Sequence, residues 1–250
     1  MNRQMRRYRI DVAYHGRRFH GWQRQPNVRT VQGELEEWLG RLLGCDESVG
    51  VTGAGRTDAG VHAERMVAHF DTDREFDFQD LIHRLNSALD DDLVVRAISS
   101  APADFHARYS AVSKTYCYRL RTTPSPFSRD RVWQLHQTLD HNRLIGAAGD
   151  IVGTHDFAGF CRAESRKPNT VCTIRDSRWV TVADCLEYWI TGDRFLHEMV
   201  RLLVGTMVDI GRGQMDKGQI ARILSSGDVR LCGQAAPPHG LSLVNIEYPA

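Results

Sequence analysis

Lysine is nearly missing from this chain: Lys114, Lys167 and Lys217 are the only lysines among 32 basic side chains. The rest are arginines, whose planar guanidinium forks onto phosphate and stacks on bases in ways an ammonium cannot. A codon-level preference for arginine gives the same composition, so the bias alone assigns no partner. An excess of one charge is also missing. The formal net charge is +1, so a nucleic-acid partner has to be argued from where the arginines cluster and not from a global field. Long apolar runs are absent as well. No stretch of 18 apolar residues occurs, and none follows the basic start MNRQMRRYR. The expectation is a cytoplasmic chain with neither a membrane span nor a signal peptide.

Motifs for metals and nucleotides fail in turn. The six cysteines contain no C-x-x-C pair, which excludes a zinc framework and suits reduced thiols. His197-Glu198 opens an H-E-x-x-H, but its fifth position is Arg201, which cannot ligate a cation, so a zinc protease is excluded. Gly55 and Gly60 have the spacing of a phosphate loop, yet Val61 and His62 stand where lysine and a hydroxyl are required. A dinucleotide fingerprint fails because the third glycine is displaced and a strand follows it. What remains is an ordinary globular composition, 42% hydrophobic and 25% charged over 250 residues, enough for one large or two modest domains.

Periodicity places the elements. YRIDVAY (8–14) alternates as a half-buried strand. Val31, Leu35, Trp38, Leu39 and Leu42 repeat at helical spacing between a Thr30 cap and a Gly44 stop. Strands at 49–52, 66–70 and 93–99 and a helix over 81–89 complete a β-α-β-β-α-β half. A second half follows APADFHARYS (101–110), with a strand over 113–122 that puts Tyr116 and Tyr118 on one face. It continues with a helix over 140–151, strands over 175–183 and 185–192, and an amphipathic helix from Phe195 to Ile210. The fold class expected is α+β, two similar subdomains with mostly antiparallel sheets, divided as 1–105 and 106–250.

GAGRTDAGVHA (53–63) displays a charged pair on a loop almost without bulk. In an extended loop Arg56 and Asp58 project to the same side, so the guanidinium can pair with the carboxylate, keep it ionised and fix its rotamer. Gly55, Ala59 and Gly60 leave room for a planar substrate to approach the backbone. Such a carboxylate serves as nucleophile or base. A glycine-rich turn with a surface ion pair is the competing reading.

The loop resembles the signature of the tRNA pseudouridine synthase A family. YHGRRFHGWQRQ (14–25), VQGELEEWL (31–39), DFHARYSAVSKTYCYRL (104–120), HDFAGFCR (155–162), FLHEMVRLLVGTMVDIGRG (195–213) and GLSLVNIEYP (240–249) are similar to further family blocks, in family order, over nearly the whole chain. The resemblance implies a pseudouridine synthase fold whose two subdomains join around a central basic cleft. It also implies isomerisation of uridine at positions 38, 39 and 40 of the tRNA anticodon stem-loop, by a homodimer without metal or organic cofactor. Residue by residue, it makes Asp58 the catalytic aspartate, Arg56 its companion and Arg201 a cleft arginine. Tyr116 becomes the ring that stacks on the target uracil, and Leu241 an apolar cover for the base. Lys114 departs from the pattern, where many relatives carry arginine.

Candidate RNA contacts, read from basic residues interleaved with aromatic ones, are Arg17, Arg18, Trp22, Arg24 and Arg29, with Arg162, Arg166 and Lys167 in the second half. A solvated arginine face competes for each of them. Two rivals to the enzymatic reading stay open: a non-catalytic RNA-binding or tRNA-folding factor, and a sister synthase acting on another RNA.

Overall fold

The computed structural model describes residues 4–45, 48–162, 164 and 168–249. The chain divides into two compact units, Met1–Val112 with Leu243–Ala250, and Ser113–Ser242. The first boundary falls seven residues beyond the expected one, and the last eight residues return to the first unit.

In the first unit β1 (Arg6–Tyr14) is central. It then passes to α1 (Val31–Leu43), β2 (Val51–Gly53), β3 (His62–Thr72), α2 (Phe78–Ala88) and β4 (Leu93–Ser100), the expected β-α-β-β-α-β order. β1 pairs antiparallel with β3 and β4, and β2 pairs antiparallel with β3. The register sets Ile10 opposite both Ala68 and Ile98. The C-terminal strand lies along the other edge of β3. Ile10, Val12, Leu35, Leu39, Met66, Leu81 and Leu85 are fully buried and form the core. α1 starts where Thr30 Oγ1 accepts the Gly33 N–H at 3.3 Å and stops at Gly44, whose φ of 63° an L side chain resists. Its buried Glu36 accepts the Val51 N–H (3.1 Å) and the Gln32 side-chain N–H (2.9 Å), which fixes where β2 begins.

The second unit runs β5 (Ser113–Arg121), β6 (Trp133–Gln134), α3 (His141–Gly149), β7 (Gly153–Asp156), β8 (Val171–Val182), β9 (Cys185–Gly192), α4 (Met199–Gly211) and α5 (Gln219–Ser226), before β10 (Leu241–Glu247), the C-terminal strand already met. Its sheet order is β5-β9-β8-β7, all antiparallel, with the short β6 parallel to β5. The α+β class with mostly antiparallel sheets therefore holds. α4 is apolar on nearly every side, with Met199, Leu203, Val204, Met207 and Ile210 at zero exposure. It begins at Met199, four residues after the expected Phe195. The cause is local: Glu198 sits at φ 58°, a left-handed conformation that a continuous helix cannot contain. All six cysteines are free, three of them buried. Among the described residues no helix is long and apolar enough to cross a membrane.

Candidate active site

Residues 53–63 are a clamped turn. The Ala54 N–H donates to Val67 O at 2.8 Å, the Trp22 N–H to Thr57 O at 3.1 Å, and the Gly60 N–H to Phe19 O at 3.3 Å. The Val61 N–H closes the turn on Asp58 O at 3.1 Å. Below it, the Tyr14 hydroxyl meets Thr57 Oγ1 at 2.8 Å and the Gly16 N–H donates to His62 Nδ1 at 3.0 Å. Thr57, Val61 and His62 are buried anchors, while Asp58 between them is half-buried. The backbone of the aspartate is thus fixed on both sides before any substrate arrives.

Much of the nearby glycine serves this clamp. A Cβ on Gly16 would lie 2.1 Å from Val61 O, one on Gly53 would lie 2.5 Å from the Trp22 ring, and one on Gly21, at φ +87°, would lie 2.6 Å from Thr57 O. The segment HGRRFHGW and the Asp58 turn approach each other backbone to backbone, a distance only glycine permits.

Two expectations are corrected here. The Arg56–Asp58 ion pair is not among those formed by the described residues, and Arg56 is exposed. From Asp58 the chain reverses through Gly60, at φ +81°, and does not continue as an extended loop. Trp22 is only 2% exposed, packed on Gly53 and tilted 6.2 Å from Tyr14. It is core and offers no ring to a base.

The arginines of the first loop separate by partner. Arg29 grips Asp92 through both terminal nitrogens at 2.8 and 2.9 Å, and Arg18 Nε adds a third bond at 2.7 Å. Burial opposes ionisation of Asp92, but these guanidinium bonds prevail and hold its pKa below the ordinary carboxylate value. Both arginines therefore staple the loop to the start of β4. Arg24 reaches Glu36 at 3.1 Å while staying largely exposed, and Arg17 is exposed. Arg166 and Lys167 lie outside the described residues.

In the second unit the Tyr116 ring, 8% exposed, stands edge-on to Phe195 at 5.1 Å. Tyr118 is fully buried and donates to Pro237 O at 2.8 Å, with Gly240 flat against its ring. Burial pushes its phenol pKa well up, and the nearby Arg201 partly offsets this. Both tyrosines are buried, Tyr118 completely and Tyr116 down to 8% exposure. Leu241 is buried at the start of β10. Arg201 donates through Nε to Ala236 O at 2.8 Å and through Nη1 to Glu198 Oε1 at 2.9 Å. Glu198 also takes the Arg162 guanidinium. Its role escapes sequence reading, which meets it only in a failed zinc motif. The turn Phe195–Glu198 that replaces the first helical turn brings Phe195 to Tyr116 and Glu198 to two arginines.

A family model described as tRNA pseudouridine synthase matches residues 11–110 and 147–249. Asp58, Arg56, Arg17 and Arg24 fall in the first stretch, Arg201 and Leu241 in the second, and Tyr116 between them. The chain is 42% identical to tRNA pseudouridine synthase A of Halalkalibacterium halodurans over 239 residues, 95% of this chain and 90% of that one. It is 38% identical to the enzyme of the same name from Exiguobacterium sibiricum over 98% of both chains. The Bacillus subtilis enzyme is 38% identical over 97% of this chain and 99% of its own. A solved H/ACA RNP bound to a substrate RNA containing 2'-deoxyuridine aligns over 81% of this chain and 53% of that one at a TM-score of 0.36 and 8% identity, and adds nothing to the assignment. Matched across both of its halves, and along nearly the full length of these relatives, the chain belongs to the tRNA pseudouridine synthase family, isomerases that turn uridine into pseudouridine.

Proposed function

We propose that this protein isomerises uridine to pseudouridine at positions 38, 39 and 40 of the tRNA anticodon stem-loop, with Asp58 as the catalytic nucleophile. The observation that carries the reading is the clamped turn. It anchors Thr57 and Val61 in the core and keeps Asp58, partly exposed, between them, which suits a group that has to meet a large substrate. The chemistry balances without another reagent. In net, the N1–C1′ bond of the uridine breaks, the uracil turns, a C5–C1′ bond forms, the C5 proton leaves to solvent and N1 gains a proton. The bond that the Asp58 carboxylate makes to the substrate is broken again before the product leaves, which restores the carboxylate. No water is added across the glycosidic bond, so the second carboxylate that a glycoside hydrolase needs as acid is not required.

In this reading Tyr116 stacks on the extruded uracil and Leu241 covers it. Arg201 and the exposed Arg56 assist the aspartate, and Arg17 and Arg24 meet the RNA backbone. Two copies of a chain with net charge +1 can gather their exposed arginines in one groove, which supports a homodimer. The test is carbodiimide-blocked reverse transcription of an unmodified tRNA transcript after incubation with the protein. Stops at the uridines of positions 38–40 are expected. Stops elsewhere, or none, would contradict the assignment.

A further inference from the structure

The segment DFHARYS builds a turn that the reaction above does not use. The His106 N–H donates to Ser110 Oγ at 3.0 Å, and the Ser110 N–H returns to His106 O at 2.9 Å. His106 Nδ1 accepts the N–H groups of Arg108 (3.1 Å) and Tyr109 (3.3 Å). Ala107, fully buried, is held from both sides: its N–H donates to His69 Nδ1 at 3.2 Å and its carbonyl accepts the Tyr248 hydroxyl at 2.6 Å.

This bonding displays two side chains outward. Tyr109 is 77% exposed, with its ring propped on His106 at 4.3 Å and the Arg108 guanidinium 5.8 Å from its centroid. Arg108 is exposed and, like Arg56 and Arg96, joins no carboxylate among the described residues, whereas Arg7, Arg9, Arg18, Arg24 and Arg29 of the same unit do. Tyr109 keeps 77% of its surface in water, and a turn bonded this closely has already met much of the ordering cost of a stacking surface.

We infer that Arg108 and Tyr109 form a second RNA contact, in which the Tyr109 ring stacks on an unpaired base and the Arg108 guanidinium takes a neighbouring phosphate. The inference rests on the RNA substrate proposed above and adds a contact outside the reacting group. Its test compares Tyr109→Ala, Tyr109→Phe and Arg108→Ala with the wild type, by filter binding of an unmodified tRNA transcript across a salt series. Loss of one stacked base weakens binding by about 5- to 150-fold. Tyr109→Ala is expected to show this, Tyr109→Phe to stay within about twofold of wild type, and both to melt as wild type does. Arg108→Ala is expected to lower the slope of log affinity against log salt by about 0.7–0.9. In turnover, Tyr109→Ala raises KM by the same factor and leaves kcat unchanged. An unaltered dissociation constant for Tyr109→Ala overturns the inference, as does a changed oligomeric state with tRNA affinity intact, which would make the ring a protein contact. A wild type that binds tRNA but leaves no pseudouridine overturns the proposed reaction alone, because the Tyr109 comparison is still read by binding. A wild type that binds no tRNA overturns both.

Discussion

Replacing Gly21 by alanine probes how the Asp58 turn is held. Its φ of +87° and the 2.6 Å approach of its would-be Cβ to Thr57 O act together, with Ala59 N and Asp58 C each at 3.3 Å. Left-handed backbone costs an L residue about 1–2 kcal/mol. Forcing a methyl against a fixed carbonyl adds about 1–3 kcal/mol, so the loss is about 2–5 kcal/mol, a large part of a stability of about 5–15 kcal/mol. Two other glycines separate the causes. Gly44 has φ +63° with nothing within 4 Å of its Cβ position, so Gly44→Ala carries the backbone cost alone, about 1 kcal/mol. Gly50 has neither constraint, and Gly50→Ala is neutral or stabilising by about 0.5 kcal/mol. Urea denaturation followed by tryptophan fluorescence ranks the three. If Gly21→Ala costs no more than Gly44→Ala, the carbonyl contact is not restraining the turn and the reasoning fails.

Acid stability is the next check. Burial, then the charges of Arg7 and His106, push His69 down to about 4. The unfolded chain therefore takes up this proton first, so stability is complete above about pH 6.5 and falls as the pH drops from there toward 4, by on the order of 2 kcal/mol. His69→Gln, which retains an acceptor for the Ala107 N–H, is expected to flatten that window in urea titrations at stepped pH. Glu198→Gln removes the charge facing Arg201 and Arg162, whose shared carboxylate is only 10% exposed. A loss of about 2 kcal/mol is expected in thermal melts, less than for a fully buried pair because Arg162 stays half in solvent.

The regular elements were legible where local chemistry decides them. Thr30 caps α1 with its hydroxyl and Gly44 ends it by having no Cβ, and alternation identifies β1. The start of α4 was not legible, because Phe195 and Leu196 continue the apolar period while the break lies in the backbone of Glu198. β7 and α5 are too short for periodicity to resolve, with four and eight residues. Around the site, the aspartate on its bare loop could be singled out from residue types alone. Its restraint could not, since the Tyr14–Thr57 bond and the approach of Gly21 to Thr57 join positions far apart in the chain. Trp22 misled for the same reason. An aromatic among arginines looks like an RNA contact until Gly53 is seen to receive its ring. Arginine content was equally ambiguous, because only geometry separates Arg29, spent on Asp92, from Arg108, which is not.

The claim that one carboxylate performs the chemistry is tested most directly by release of tritium from 5-tritiated uridine in unmodified tRNA, in single turnovers with enzyme in excess. Asp58→Asn is nearly isosteric, so it is expected to bind the tRNA as wild type does and to release no tritium above background. Release at the wild-type rate would show that residue 58 takes no part in the reaction.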